Sequence, residues 1–314
     1  MAIRISTITP CFRMKKYLKK FLEELPRQTI FNELEVVLDH NEPDEEEISW
    51  VKDFQAKYPG RIKHIIVPKV DPIGTSMNRC IKESSGDIVC IWNVDDLRTP
   101  NSLELQYEAI KKDPEVGIAY GNFKLVTSFG SVDGTTMDFE KTKEDPTRSF
   151  IFGPFVMFRK KLLEKSGYFD EQLKSGADFD LLIRLALISK SRWVAGNLGY
   201  YLNEGLGAST RPNSKQPVER TIIELRYGIF DKIDYDLLPA VARYDVRIPA
   251  ILSFGEYKPV GFFIPDYENF ISQREKEFFK KGLWHFVKSR SLLAKITRRI
   301  KKITTKYVLR PRNS

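Results

Sequence analysis

The first hundred residues alternate between short β-branched apolar runs and amphipathic helical stretches, and few folds accommodate that order. AIRISTITP reads as a strand stopped by Pro10. In MKKYLKKFLEELPRQ the apolar residues Tyr17, Leu18, Phe21, Leu22 and Leu25 recur at helical spacing. LEVVLD is a second strand ending at Asp39, and EEEISWVKDFQAKY a helix with acidic residues in its first turn, where the helix dipole favours them. RIKHIIVP, PIGTSMNRCIKES and GDIVCIWNV continue as strand, helix and strand. Strand–helix alternation of this kind predicts a mostly parallel sheet flanked by helices on both faces. In such sheets ligands bind beyond the carboxyl ends of the strands. Here those ends carry Pro10 to Phe12, Asp39 to Asn41, and Asn93 to Asp96.

The later chain is less regular. VGIAYGNFKLVT and SRWVAGNLGYYL read as strands, and SFIFGPFVMFRKKLLEKSG as a strand leading into a helix. GADFDLLIRLALISKS predicts a helix with Asp178 and Asp180 at its start. The turn-rich ASTRPNSKQP suggests a boundary near residue 215. That divides the chain into 1–215 and a helical C-terminal region, 216–314. Periodicity assigns no elements to residues 235–275.

Charge is unevenly spread. The net charge is +9, yet twelve Lys or Arg and no acid lie between Lys280 and Arg312, which leaves the rest at −3. The body is therefore not a basic nucleic-acid-binding domain. In the tail, Leu293, Ile296, Ile300, Ile303 and Tyr307 share one helical face among basic residues. This pattern suits either a helix packed on the domain or one lying on an anionic membrane surface. Three widely spaced cysteines, without a CxxC pair, read as reduced thiols in a cytoplasmic setting. The sequence has no apolar signal-peptide core and no window of 18 apolar residues. The expected location is the cytoplasm, with peripheral attachment to the inner membrane face through the tail.

Adjacent carboxylates at a strand end, Asp95 and Asp96, repel each other unless a cation, hydrogen-bond donors or water face them. Two readings fit: ligands to a hard divalent ion, or an Asp96 cap on the helix that follows. Asp39 is open to a turn reading as well as a binding one, and Asp178 to that of a first-turn helix carboxylate.

The pieces ISTITPCF, LEELPRQTIFNELEVVLDHNEPDEE, GTSMNRCIKESSGDIVCIWNVDDLRTPNSLELQ and SGYFDEQLKSGADFDLLIRLA occur in one order and spacing. Together they resemble the family 2 glycosyltransferases, with their nucleotide-diphospho-sugar transferase (GT-A) fold, over about residues 3–210. The resemblance implies that Pro10 and Phe12 pack against the base of a nucleotide and that Asp39 hydrogen-bonds it. It places Asn93 at the first position of an Asp-x-Asp motif, toward the ribose. It implies Asp95, with help from Asp96, as ligand to Mn²⁺ or Mg²⁺. Asp178 falls at the position of the catalytic base, although Ala177 replaces the acidic residue that usually precedes it. The implied activity is inverting transfer of a sugar from a nucleotide-diphospho-sugar, of the UDP type, to a saccharide or lipid-linked acceptor in glycan synthesis. The competing reading is a catalytically degenerate sugar-nucleotide binder or scaffold. A nucleotidyltransferase would carry a Gly-rich loop after the first strand, which ITPCFRMKK lacks. A processive synthase would carry membrane spans and a Gln-x-x-Arg-Trp motif, neither of which is present.

Overall fold

The protein is described by a computed structural model covering residues 3–140, 142, 144–205, 207 and 211–280. In chain order the first half contains β1 (Ile5–Phe12), α1 (Lys15–Glu24), β2 (Leu34–Asn41), α2 (Glu45–Lys57), β3 (Ile62–Val67), α3 (Ile73–Glu83), β4 (Ile88–Ile91), β5 (Leu97–Arg98), α4 (Ser102–Lys111) and β6 (Val116–Val126). There follow β7 (Thr135–Met137), β8 (Met157–Arg159), α5 (Leu163–Ser166), α6 (Ala177–Ile188), β9 (Lys190–Leu202) and α7 (Gln216–Arg226). The last elements are α8 (Leu238–Val241), β10 (Ala250–Ser253), β11 (Glu256–Pro259), α9 (Val260–Phe263) and α10 (Tyr267–Lys280). None of the described helices is long and apolar enough to cross a membrane. The amphipathic tail expected at Leu293 to Tyr307 lies outside the described residues.

The main sheet runs β3-β2-β1-β4-β8-β6-β9-β5, with β7 added to β6. Its first four strands are parallel, as the alternation predicts. Beyond β4 the sheet is mixed, because β8 runs antiparallel to both β4 and β6. Every residue of β2 is buried, as a strand covered on both faces requires. Alternation then sorts side chains between two cores. Val36, Leu38, Ile88 and Cys90 meet the apolar stripe of α1, Leu18, Phe21 and Leu22. Val37, Val89 and Ile91 meet α3 and α6 on the other face.

Local signals explain the better-read helices. Asp44 and Glu47 form a reciprocal capping box on α2: the Glu47 amide donates to Asp44 Oδ1 (2.9 Å) and the Asp44 amide to Glu47 Oε2 (3.0 Å). Helix α3 approaches residue 170 so closely that a Cβ at Gly74 would lie 2.8 Å from the Asp170 carbonyl oxygen. The second core continues past residue 215 into Ile223, Tyr227, Ile251 and Phe263.

Beneath α6 lies a buried ionic network. Arg226 Nη1 donates to Asp180 Oδ1 (2.6 Å) and lies 2.9 Å from Asp170 Oδ2. Arg184 Nη2 donates to Asp180 Oδ2 (2.7 Å), and Tyr227 Oη donates to Asp180 Oδ1 (2.8 Å). Asp180 is thus a structural partner of Arg184. Burial alone would raise its carboxyl, but Arg226 and Arg184 hold it below its usual range.

Candidate active site

The parallel register brings three strand ends together. Pro10 pairs with Asp39, Cys11 with His40 and Phe12 with Asn41. On the other side Ile8 pairs with Ile91, so Asn93 leaves β4 where Pro10 leaves the paired stretch of β1. Phe12 is partly exposed, with the Arg13 guanidinium 4.8 Å from its ring centre. Arg13 has a φ of 55°, an uncommon conformation for a residue with a side chain, and it turns the chain from β1 into α1.

Asp39 is fully buried at the end of β2. Asn41 Nδ2 donates to its Oδ1 (2.6 Å), and Arg79 Nη1 to its Oδ2 (2.7 Å). Arg79 also pairs with Asp71, whose amide donates to Asn41 Oδ1 (3.0 Å). Burial raises the Asp39 carboxyl, against the opposing pull of Arg79 and Asn41. Arg79 was not singled out from sequence, since an Arg inside an amphipathic helix carries no signal of the carboxylate it will meet.

The two carboxylates after β4 have different surroundings. Asp96 is 2% exposed and turned inward. Its Oδ2 accepts from Asn93 Nδ2 (3.1 Å), its Oδ1 from the Leu202 amide (3.2 Å), and its carbonyl from Trp92 Nε1 (2.9 Å). It therefore fastens the 93–96 turn to the end of β9. It does not cap the following helix, whose N-cap is Asn101. Burial, with the Asp95 charge added, pushes the Asp96 carboxyl well up. Asp95 is partly exposed, and its carboxyl is raised by burial and by the charge of Glu204. Glu204, unremarkable in the sequence, is held by Lys16 Nζ (2.9 Å) and Tyr17 Oη (2.9 Å). A bound cation would offset the charges gathered around Asp95. The described residues contain no ready-made cage of three or more His, Cys, Asp or Glu side chains. Hard carboxylate oxygens in so small a number fit an ion that arrives with phosphate and keeps some water.

Asp178 opens α6 and accepts the Phe179 amide on Oδ1 (2.8 Å). It keeps an opening to solvent, but its carboxyl is closely surrounded, and burial pushes it up to about 6. The charge acting on it is that of Glu219 on α7, not that of the strand-end carboxylates. Asn78 of α3 ties that helix to the segment before α6: its Nδ2 donates to the Phe169 carbonyl (3.0 Å) and to Glu171 Oε1 (2.8 Å).

Arg159, opposite Ile88 at the other end of β4, and His40 are structural. Arg159 spends its guanidinium on the carbonyls of Val116 (2.9 Å), Ile110 (2.6 Å) and Asp113 (3.1 Å). His40 turns away to meet His64, with Nδ1 and Nε2 3.2 Å apart, and burial pushes both imidazoles down to about 4.

Comparison with known proteins gives the family and the fold. A sequence model described as Glycosyl transferase family 2 matches residues 6–167. Chondroitin synthase of Escherichia coli is 22% identical over 183 residues, 58% of this chain but 26% of that protein. Hyaluronan synthase of Pasteurella multocida is 20% identical over 187 residues, covering 59% of this chain and 19% of that protein. The chain thus spans about a quarter or less of these curated relatives. Among solved structures, S. aureus TarS 1–349 in complex with UDP aligns with a TM-score of 0.56 at 17% identity, over 76% of this chain and 78% of that one. The mannosyltransferase PcManGT from Pyrobaculum calidifontis, in complex with GDP-Man and Mn²⁺, aligns with a TM-score of 0.54 at 14% identity, over 98% of this chain and 88% of that one. The protein has the GT-A fold of these structures, and the chain belongs to glycosyl transferase family 2.

Proposed function

We propose that the protein transfers a sugar from a nucleotide-diphospho-sugar to an acceptor hydroxyl, with inversion at the anomeric carbon. The observation that carries this reading is the row formed by Pro10, Asp39 and Asn93 to Asp95 at adjacent parallel strand ends of a family 2 fold. The half-open Phe12 and the buried Asp39 would receive the base, the first by packing and the second by accepting a hydrogen bond. Asn93, at the first position of the motif, would face the ribose. Asp95 would hold a divalent cation together with the donor phosphates; when bound, that ion neutralises charge on the departing diphosphate. Asp96 contributes by shaping the turn that presents Asp95.

Asp178 serves as the general base in this reading. Its carboxyl, raised toward neutrality, is matched to taking a proton from a hydroxyl at physiological pH. As that proton moves to Asp178, the acceptor oxygen bonds to the anomeric carbon. The bond from that carbon to the phosphate oxygen breaks, and the nucleoside diphosphate leaves with the electron pair. No covalent sugar–enzyme intermediate is required. The relatives named as chondroitin and hyaluronan synthases favour a saccharide acceptor in glycan synthesis. The complexes of TarS with UDP and UDP-GlcNAc favour a UDP-sugar donor.

Nucleotide binding with and without Mn²⁺ tests the reading. A ligand that binds only the folded state at 100 times its Kd adds about 2.7 kcal/mol of stability. UDP or GDP should raise the melting temperature more with Mn²⁺ than without, and Asp95→Ala should lose that increment. A wild-type protein that neither nucleotide stabilises, even with Mn²⁺, would remove the proposal.

A further inference from the structure

The turn that leads into α6 is held from outside. Glu219, on the first turns of α7, is fully buried, and its carboxylate collects three consecutive backbone amides. Lys174 N donates to Oε1 (2.8 Å), while Ser175 N (2.8 Å) and Gly176 N (2.9 Å) donate to Oε2. Tyr244 Oη donates to Oε1 as well. These amides would otherwise be orphaned at a helix entry, and a carboxylate accepting several charge-assisted hydrogen bonds fixes their positions strongly. The fit is tight. A Cβ added at Gly176 would lie 2.9 Å from Ile223 Cδ1 and 3.4 Å from Glu219 Cβ, so glycine lets α7 close on the turn. Asp178 follows Gly176 by two residues.

We propose that Glu219 is a positioning residue for catalysis: by gripping residues 174–176 it fixes the start of α6 and with it the reach of the Asp178 carboxylate toward the acceptor hydroxyl. The inference rests on the reading of Asp178 as the base. Its consequence is that a helix beyond the matched family segment, which ends at residue 167, sets the geometry of the reaction.

The groups facing Asp178 make a charge readout available. On its own helix the Phe179 amide donates to it, while Asp180 points instead to Arg184, Arg226 and Tyr227. From the preceding turn Lys174 is exposed to solvent. From α7 comes Glu219, whose negative charge raises the Asp178 carboxyl, and Tyr244 is bound to Glu219. Removing that charge lowers the proton affinity of Asp178. The acidic limb of the transfer rate, where a protonated base stops working, then moves to lower pH.

The test compares Glu219→Gln and Glu219→Asp in the full chain, with UDP affinity as the check that each variant is folded and binds donor. Glu219→Gln keeps the reach but loses the charge. We expect its kcat to fall roughly 10- to 100-fold, because misplacement of a catalytic group by about 1 Å can cost 10²-fold. Its acidic limb should move to lower pH, because the Glu219 charge that raises the Asp178 carboxyl is gone. Glu219→Asp keeps the charge but shortens the arm, so kcat should fall while the limb stays in place. UDP affinity should remain within about twofold in both. Wild-type kcat and limb in Glu219→Gln would overturn the proposal. So would losses in both variants that track only the folded fraction, with no movement of the limb. Asp178→Asn, assayed alongside, separates the two readings: near-wild-type transfer there removes the base itself, whereas an inactive Asp178→Asn beside an unaffected Glu219→Gln removes only the positioning role.

Discussion

The strand-end cluster and the start of α6 are built differently. At the strand ends proposed to bind the nucleotide, the groups stand on neighbouring strands within the first hundred residues, and hydrogen-bonded register brings them together. On the Asp178 side the key carboxyl sits on a helix gripped by residues 40 to 70 positions later: Glu219 at the entry turn, Tyr244 behind it, and Arg226 and Tyr227 under the first turns. A site assembled from strand ends needs only a correct sheet. A site resting on a helix start needs that helix to be pinned, and here the pins come from the C-terminal region.

The comparison predicts unequal consequences of mutation. The largest effect belongs to Arg226→Met, which removes the cation between Asp170 and Asp180 and leaves two buried carboxylates poorly compensated. Breaking a buried ion pair from one side costs about 3–5 kcal/mol, and urea denaturation at neutral pH should show a loss of that size. A loss below about 1 kcal/mol, the worth of a surface pair, would mean that apolar packing alone pins α6.

What could be read from sequence follows the same division. The strands before Asp39 and Asp95 are long apolar runs, and helices α1 to α3 have clear periodicity or caps. Their order alone placed Pro10, Phe12, Asp39 and Asn93 to Asp96 at one edge of a sheet. The inward turn of Asp96 was not legible, because its partner at Leu202 lies 106 residues away and an Asp-Asp pair looks the same whichever way it faces. Nor was the grip of Glu219: an acidic residue near a helix start is ordinary, and only the fold aims it at residues 174–176. Most of residues 235–266 resisted assignment because α8, β10, β11 and α9 have four residues each, too few for a period to show; α10, which starts at Tyr267, was long enough to be read and was missed. The β10–β11 hairpin even turns through Phe254 and Gly255, at φ 51° and 78°, where Asn-Gly would have announced it.

A smaller effect is expected on the nucleotide side. Asp39→Asn leaves Arg79 paired with Asp71, so the fold should survive, but the charged acceptor proposed for the base is lost. A hydrogen bond to a charged group contributes about 1.5–3 kcal/mol, which corresponds to a loss of UDP affinity of roughly 10- to 150-fold by calorimetry. Unchanged affinity, with melting temperature also unchanged, would show that Asp39 serves only to hold Arg79 and Asn41.

In the proposed reaction, donor binding at the strand ends and proton removal at the start of α6 are separate tasks. The most direct test measures UDP affinity and sugar transfer in wild-type protein and in Asp178→Asn, using a panel of UDP- and GDP-sugars with saccharide acceptors. The predicted result is UDP affinity within about twofold of wild type and transfer slower by about 10²–10⁴-fold, the contribution of a general base. Transfer at the wild-type rate, or a loss of UDP affinity as large as the loss of transfer, would contradict it.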